Sequence, residues 1–420
     1  MDACCVHMAV WLNPVFLRLG EGAARRIAVP ARRFEAESLL VPILRRFALL
    51  FCLFVSSLGP ALANPMLLVD MDSFEVLYAQ EAGQPWHPAS LTKMMTAYVA
   101  FEEISRGTVT LDTPVTLSKK AINQAPSKSG LPVGSTLTLK DALYVMLVKS
   151  ANDVAMAIAE TIGGSEEGFV LKMNDVAQRM GLTASRFTNP NGLHDPQQYT
   201  SARDLAILAL YIRQNFPQFM PMFGTDVVRL GKAELESNNE LLVKFAGTNG
   251  MKTGYVCASG LNMVVTVQRN GRNLLAVVLG GSSARERNER TAELLLKGFS
   301  GASRPIGQTI LTLANNVGSQ PVDMRPLICG KDAKAYAAAQ QAAFPMGLKG
   351  QPSFLTDNVP PTSYVATDLG RIATGIPLPQ PRPAHQPRFP VPVADTSAVA
   401  TVAASNSTVP FPRPRPSFLQ

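Results

Sequence analysis

The chain has 420 residues, 46% of them hydrophobic, with a formal net charge of +8 and an isoelectric point near 9.3. That length is ample for a buried core and sets two or three domains as the upper bound. The basic balance favours anionic surroundings without identifying them. No motif repeats at a fixed period, and no glycine-rich phosphate loop or other feature calls for a nucleic-acid partner.

The N-terminus reads as an export signal. Arg45 and Arg46 precede the apolar run Phe47 to Leu58, and Ala61-Leu62-Ala63 follows as a small-residue cleavage site. The run is short for a membrane span. Cleavage after Ala63 leaves Asn64 first; the alternative is an uncleaved anchor, and both put the rest of the chain outside the cytoplasm. The stretch before Leu44 is long for a signal peptide. Loss of the leader removes Cys4, Cys5 and Cys52, leaving Cys257 and Cys329. Export permits a disulfide between them, but Cys257 sits in a strand-like apolar run, which favours a buried free thiol. The mature chain has no paired Cys or His at ligand spacing and no H-E-x-x-H, so neither a metal nor any other cofactor is expected.

After the leader, Met66 to Asp72 and Glu75 to Ala79 read as two strands joined by a turn at Asp72-Ser73. Pro88-Ala89-Ser90-Leu91-Thr92-Lys93 then opens a helix running to about Arg106 and stopped by Gly107. Residues three apart on a helix share a face, so the Ser90 hydroxyl and the Lys93 amine can meet. A serine needs such a base to act as a nucleophile. The plain alternative is a helix cap beside a surface lysine.

Leu111 to Thr116 is extended, Ser118 to Asn123 a helical turn and Ser127 to Gly134 a loop. Thr138 opens a helix over Ala142 to Val148, and a second helix covers Val154 to Ile162. Their junction, Lys149-Ser150-Ala151-Asn152-Asp153, leaves a hydroxyl and an amide between two apolar helices, costly unless those groups have partners. Capping by Asn152 or Asp153 is the alternative. Glu166 to Met180 is amphipathic, and Thr188 to Leu193 is a turn-dense loop. His194 and Asp195 belong to that loop. They read as loop residues, with His194 hydrogen-bonded, because adjacent positions stack poorly into a Ser-His-Asp relay.

Ser201 caps a helix over Leu205 to Arg213, and Val227 to Leu230 and Leu241 to Lys244 read as short strands. Gly247 to Tyr255 reads as turn then strand. In it Lys252 and Thr253, followed by Gly254, could receive a carboxylate on an edge strand; a plain strand is the alternative. Leu261 to Arg269 and Asn273 to Leu279 form a hairpin about Asn270-Gly271, and Arg285 to Phe299 a last helix.

Three stretches thus occur in order: S-x-x-K at Ser90, S-x-N at Ser150 and K-T-G at Lys252. With Asn189-Pro190-Asn191-Gly192-Leu193 and Gly250-Met251 as flanking matches, residues 66–299 resemble the penicillin-recognising serine hydrolases. Within that superfamily they are most similar to the low-molecular-weight serine-type D-alanyl-D-alanine carboxypeptidases. The resemblance implies an α+β fold, an antiparallel sheet flanked by helices beside an all-helical lobe, with the active site between them. Ser90 would be the acylated nucleophile, Lys93 its base, and Ser150 and Asn152 the proton relay and orienting pair. Lys252 and Thr253, beside Gly254 and Tyr255, would hold the substrate carboxylate, with Arg287 a second contact. The backbone N–H groups of Ser90 and Tyr255 would form the oxyanion hole. It also implies peptidoglycan stem peptides as substrate, β-lactam antibiotics as covalent inhibitors and the periplasm as location. A DD-endopeptidase, a β-lactamase (although neither S-D-N nor an E-x-x-L-N loop is evident) and a non-catalytic envelope-binding protein are the alternatives.

The organisation expected is a leader over 1–63, a catalytic domain over 64–305, a poorly defined extension over 306–357 and a Pro-rich disordered tail over 358–420. Arg382, Arg388, Arg413 and Arg415 give that tail a basic character suited at most to weak contact with an anionic envelope surface.

Overall fold

The structure, a computed structural model, describes residues 64–371. The leader and the tail beyond Arg371 lie outside the described residues. In chain order, β1 (Met66–Asp70) and β2 (Val76–Gln80) form a hairpin, and a 3₁₀ turn (Ala89–Leu91) leads into α1 (Thr92–Ser105). The helical lobe follows: β3 (Pro114–Thr116), α2 (Lys119–Ile122), β4 (Thr136–Thr138), α3 (Leu139–Val148), α4 (Asn152–Gly163), α5 (Glu166–Arg179), α6 (Ala202–Asn215) and α7 (Met220–Phe223). Two short strands, β5 (Val227–Leu230) and β6 (Ala233–Glu236), and the turn α8 (Leu241–Lys244) lead back to the sheet. It is completed by β7 (Thr248–Val256), β8 (Gly260–Arg269) and β9 (Arg272–Gly281), then covered by α9 (Ala284–Phe299).

The five strands lie in the order β2-β1-β9-β8-β7, every neighbour antiparallel. Side-chain alternation divides each inner strand between two cores. Leu68, Met263, Val265, Ala276 and Val278 face Ala292, Leu294 and Leu295 of α9. Leu67, Val69, Val264, Leu275 and Val277 face the core that continues into the helical lobe. A one-residue slip would exchange the two sets, so burial on both faces fixes the register. Hydroxyls at Thr138, Ser165, Ser201 and Ser283 cap α3, α5, α6 and α9, each accepting from the amide three residues on. This is the expected α+β arrangement.

Four expectations are refined or corrected. Ser90 lies in the 3₁₀ turn, two residues before α1 proper begins at Thr92. Leu241–Lys244 is a helical turn rather than a strand, with Leu241 and Leu242 buried on adjacent positions, which a strand would point to opposite faces. Cys257, just beyond β7 and half-buried, is not a free thiol but is bonded to Cys329.

The fourth concerns the segment after α9. Residues 306–357 are not loosely attached, and the chain is packed as far as Arg371. Ile306 and Gln308 bond to Val76 of β2. The Met324 amide donates to the Ala258 carbonyl, followed by α10 (Arg325–Ile328) and α11 (Ala333–Ala343). Asp357 bonds to Lys244 and receives Arg269. Then β10 (Ser363–Ala366) joins β5 as a parallel edge strand. Tyr364 stacks on Tyr144 of α3, ring centroids 3.6 Å apart, and its hydroxyl donates to Asp141 at 2.6 Å. Composition places 358–371 in a tail because all these contacts are remote in sequence.

Candidate active site

Ser90 and Lys93 lie where the 3₁₀ turn meets α1, and the turn is clamped from two sides. Gly254 of β7 approaches so closely that a Cβ there would lie 3.0 Å from the Ser90 amide nitrogen. On the other side the loop 189–193 crosses Ala89, with Gly192 at φ +84°. Thr96 of α1 holds the same loop by donating to the Pro190 carbonyl at 2.6 Å.

Lys93 is fully buried. Its Nζ lies 3.0 Å from Ser90 Oγ, 2.6 Å from Asn152 Oδ1 and 2.6 Å from the Asn191 carbonyl. Burial first, then the charge of Lys252, push its pKa well below the ordinary lysine value, with Asp153 pulling the other way. A neutral amine here keeps two N–H groups and one lone pair. Asn152 Oδ1 and the Asn191 carbonyl can only accept, so they take its two N–H groups, and the lone pair is left to receive the Ser90 hydroxyl proton. The Asn152 amide is oriented without ambiguity, because its Nδ2 donates to the Ala125 carbonyl at 2.9 Å.

Ser150 occupies the α3–α4 junction, buried and in the left-handed region at φ 62°. Neither proposed cap forms: α4 has no side-chain cap. Asn152 goes to Lys93, and the Asp153 carboxylate accepts from the amide and hydroxyl of Ser129. This ties the loop 125–131 against the junction, and Pro126 and Ser127 of that loop line the cleft.

The cleft has a volume of about 770 Å³ and is lined by Ser90, Ser150, Asn152, Thr253, Tyr255 and Arg287, among others. Lys252, 3% exposed, lies behind the wall with Nζ donating to the Thr253 carbonyl. Burial and the nearby Arg287 push it down to about 7. The cleft thus has a serine hydroxyl beside a buried amine at one point of its lining and Arg287 at another, with Asp226, Glu236 and Glu240 also on its wall, an arrangement that can support nucleophilic attack by the hydroxyl.

All nine residues singled out in the sequence, Ser90, Lys93, Ser150, Asn152, Lys252, Thr253, Gly254, Tyr255 and Arg287, converge on this region, though Lys93 and Lys252 stand behind its surface. His194 does not join Ser90. It packs edge-on to His87 with centroids 4.9 Å apart, and both its ring nitrogens are buried without a hydrogen-bond partner, contrary to the hydrogen-bonded loop histidine expected. Sequence reasoning missed the Asn191 carbonyl as a lysine acceptor, because a backbone oxygen leaves no residue-type signal. It also missed Glu240 and Asn288, which line the cleft near Arg287.

A family profile described as D-alanyl-D-alanine carboxypeptidase matches residues 58–283. The chain is 33% identical over 243 residues to D-alanyl-D-alanine carboxypeptidase DacF of Bacillus subtilis, covering 57% of this chain and 62% of that protein. It is 34% identical over 242 residues to DacA of Haemophilus influenzae, covering 56% and 62%. The chain therefore spans about three fifths of the length of these curated relatives. Among solved structures, penicillin binding protein 5 from Haemophilus influenzae superposes with a TM-score of 0.54 at 32% identity, covering 57% of this chain and 71% of that one. Penicillin-Binding Protein D2 from Listeria monocytogenes, in its ampicillin-bound form, gives 0.50 at 28% identity, covering 57% and 100%.

Proposed function

We propose, for a chain that belongs to the D-alanyl-D-alanine carboxypeptidase family, that it removes the terminal D-alanine from peptidoglycan stem peptides in the periplasm through an acyl-enzyme on Ser90. The observation that carries this reading is the buried Lys93 amine, 3.0 Å from Ser90 Oγ and held at 2.6 Å by each of the Asn152 and Asn191 oxygens.

Lys93 takes the Ser90 proton as Oγ attacks the carbonyl carbon of the penultimate residue. The developing oxyanion is received by the backbone N–H groups of Ser90 and Tyr255. Ser150 relays the proton to the leaving amine nitrogen as the C–N bond breaks. Water then hydrolyses the ester, and Ser90 recovers its proton. Asn152 keeps the lysine aligned throughout. Thr253 and Arg287 contact the terminal carboxylate, and Lys252 behind them adds positive potential. β-Lactams would acylate the same serine, a reading supported by the ampicillin-bound Listeria relative. The N-terminal apolar run with its Ala-Leu-Ala site supports export.

The test compares a peptide ending in D-Ala-D-Ala with its C-terminal amide and with a cross-linked muropeptide dimer, with mass analysis of the products. Charge-assisted hydrogen bonds worth about 1.5–3 kcal/mol each predict that the free acid is cleaved at least about tenfold faster than the amide. Equal rates on all three would move the assignment to an endopeptidase, and rapid turnover of penicillin to a β-lactamase.

A further inference from the structure

Arg287 faces the cleft from α9 while remaining 96% buried by its neighbours, with 4% exposure. Its Nε and Nη2 both donate to Asn288 Oδ1, at 2.9 and 2.8 Å, and Nη2 also donates to the Asn238 carbonyl at 3.1 Å. Asn288 Nδ2 in turn donates to Glu240 Oε2 at 2.8 Å. The orientation of this amide is fixed by its partners, because a guanidinium only donates and a carboxylate only accepts.

Asn288 therefore stands as a neutral spacer between a buried cation and the Glu240 carboxylate. A direct Arg–carboxylate pair would orient Arg287 equally well, but it would neutralise the guanidinium. An incoming anion would then have to break that pair before binding. The spacer transmits the orienting pull of Glu240 and leaves the positive charge unspent. Burial lowers the Arg287 pKa, and Glu240 acts to raise it, which keeps the guanidinium protonated at neutral pH.

We infer that Asn288 and Glu240 are positioning residues for carboxylate selection: together they hold Arg287 aimed at the cleft and unneutralised, so that it is free to receive the anionic end of the substrate. This rests on the carboxypeptidase reading above. It makes N288D the informative change, because the new carboxylate would bind Arg287 directly and compete with substrate.

The experiment measures kcat/KM for a peptide ending in D-Ala-D-Ala and for its C-terminal amide, with wild type, N288D, E240A and E240Q. In N288D the acid-to-amide ratio falls about tenfold or more, the size of one lost charge-assisted contact, through a raised KM for the acid. The amide rate stays within about threefold of wild type. E240A frees the Asn288 amide and lowers the ratio in the same direction, whereas E240Q, which can still accept from Nδ2, keeps most of it. E240A and E240Q carry the test if N288D fails to fold. A wild-type preference that survives both N288D and E240A overturns this inference alone, as does an equal loss on acid and amide, the mark of a merely structural role. A wild type with no preference overturns it together with the carboxypeptidase reading.

Discussion

Replacing Gly192 by alanine tests whether the loop 189–193 is part of the catalytic arrangement. A Cβ at Gly192 would lie 1.9 Å from the Ala89 carbonyl oxygen and 2.4 Å from its carbon. Both are backbone atoms of the turn that carries Ser90, so no side-chain rotation relieves the overlap. The loop must retreat by about 1.1 Å merely to reach 3.0 Å, the distance below which Cβ contacts are essentially never seen. The neighbouring Asn191 carbonyl moves with it and leaves the Lys93 amine, now 2.6 Å away. The left-handed φ adds about 1–2 kcal/mol of backbone strain for a residue with a Cβ, a cost that appears in stability. The buried Lys93 N–H left without its acceptor costs about 1–3 kcal/mol, which appears in the rate, because a misoriented amine presents its lone pair poorly. The expected outcome is acylation about 10- to 100-fold slower with a modestly lowered melting temperature. The assay is the second-order rate of labelling by a fluorescent penicillin, paired with thermal melting by circular dichroism. A variant that melts lower but acylates within about threefold of wild type would remove this loop from the positioning of Lys93.

Ser90→Ala should abolish covalent penicillin labelling, and Lys93→Ala should slow it by several orders of magnitude, since nucleophile and base act as a unit; undiminished labelling of the serine variant would exclude Ser90. Acylation should fall on acidification as Lys93 gains a proton, with its midpoint far below the ordinary lysine range because burial and Lys252 depress that pKa; a rate–pH profile with its acid limb near pH 10 would contradict a neutral base. Lys252 is held at about 7 against an ordinary 10.5, so between those values the unfolded chain holds the extra proton and stability rises with pH. Denaturant titrations of wild type and Lys252→Met at pH 7 and 10 should show that rise reduced in the variant. Tyr364→Ala removes an aromatic stack and a hydrogen bond to a buried carboxylate, costing about 2–4 kcal/mol. Several degrees of melting temperature should be lost, as should also follow truncation after Asn358, and an unchanged melt would show that β10 does not support the domain.

The catalytic core was legible in the sequence because its chemistry is written in side chains at short, ordered spacings. Ser90 and Lys93 are neighbours through local turn geometry alone. The caps at Thr138, Ser165, Ser201 and Ser283 and the β8–β9 hairpin are equally local. What sequence could not show depends on long-range pairing. The helical turn at Leu241–Lys244 comes from buried neighbours on both positions, whereas its isolated pattern suits a strand equally well. Residues 358–371 look like a tail because one Tyr and a few β-formers give no periodic signal until β5 and Tyr144 are supplied. The Cys257–Cys329 bond was permitted by export but not indicated, because proximity across 72 residues is a property of the fold. Glu240 and Asn288 stayed hidden for a similar reason, lying 48 residues apart until β7, β8 and β9 fold between them.

That disulfide has a topological consequence. The chain from Cys257 to Cys329 becomes a closed covalent loop enclosing β8, β9 and α9. The portion bearing Ser90 enters this loop at one cysteine, and the portion bearing β10 leaves it at the other. A single backbone nick within the loop, for instance at the exposed residues around Gly301 and Gly307, therefore yields one cross-linked molecule rather than two fragments. Only a nick together with a thiol reductant separates the piece holding the nucleophile from the piece holding Tyr364. Until then, a β10 strand peeled away from β5 stays leashed within reach of it, at the high effective concentration of an intramolecular partner. Damage to this loop is thus survivable in a way that the same cut between β2 and β7 is not.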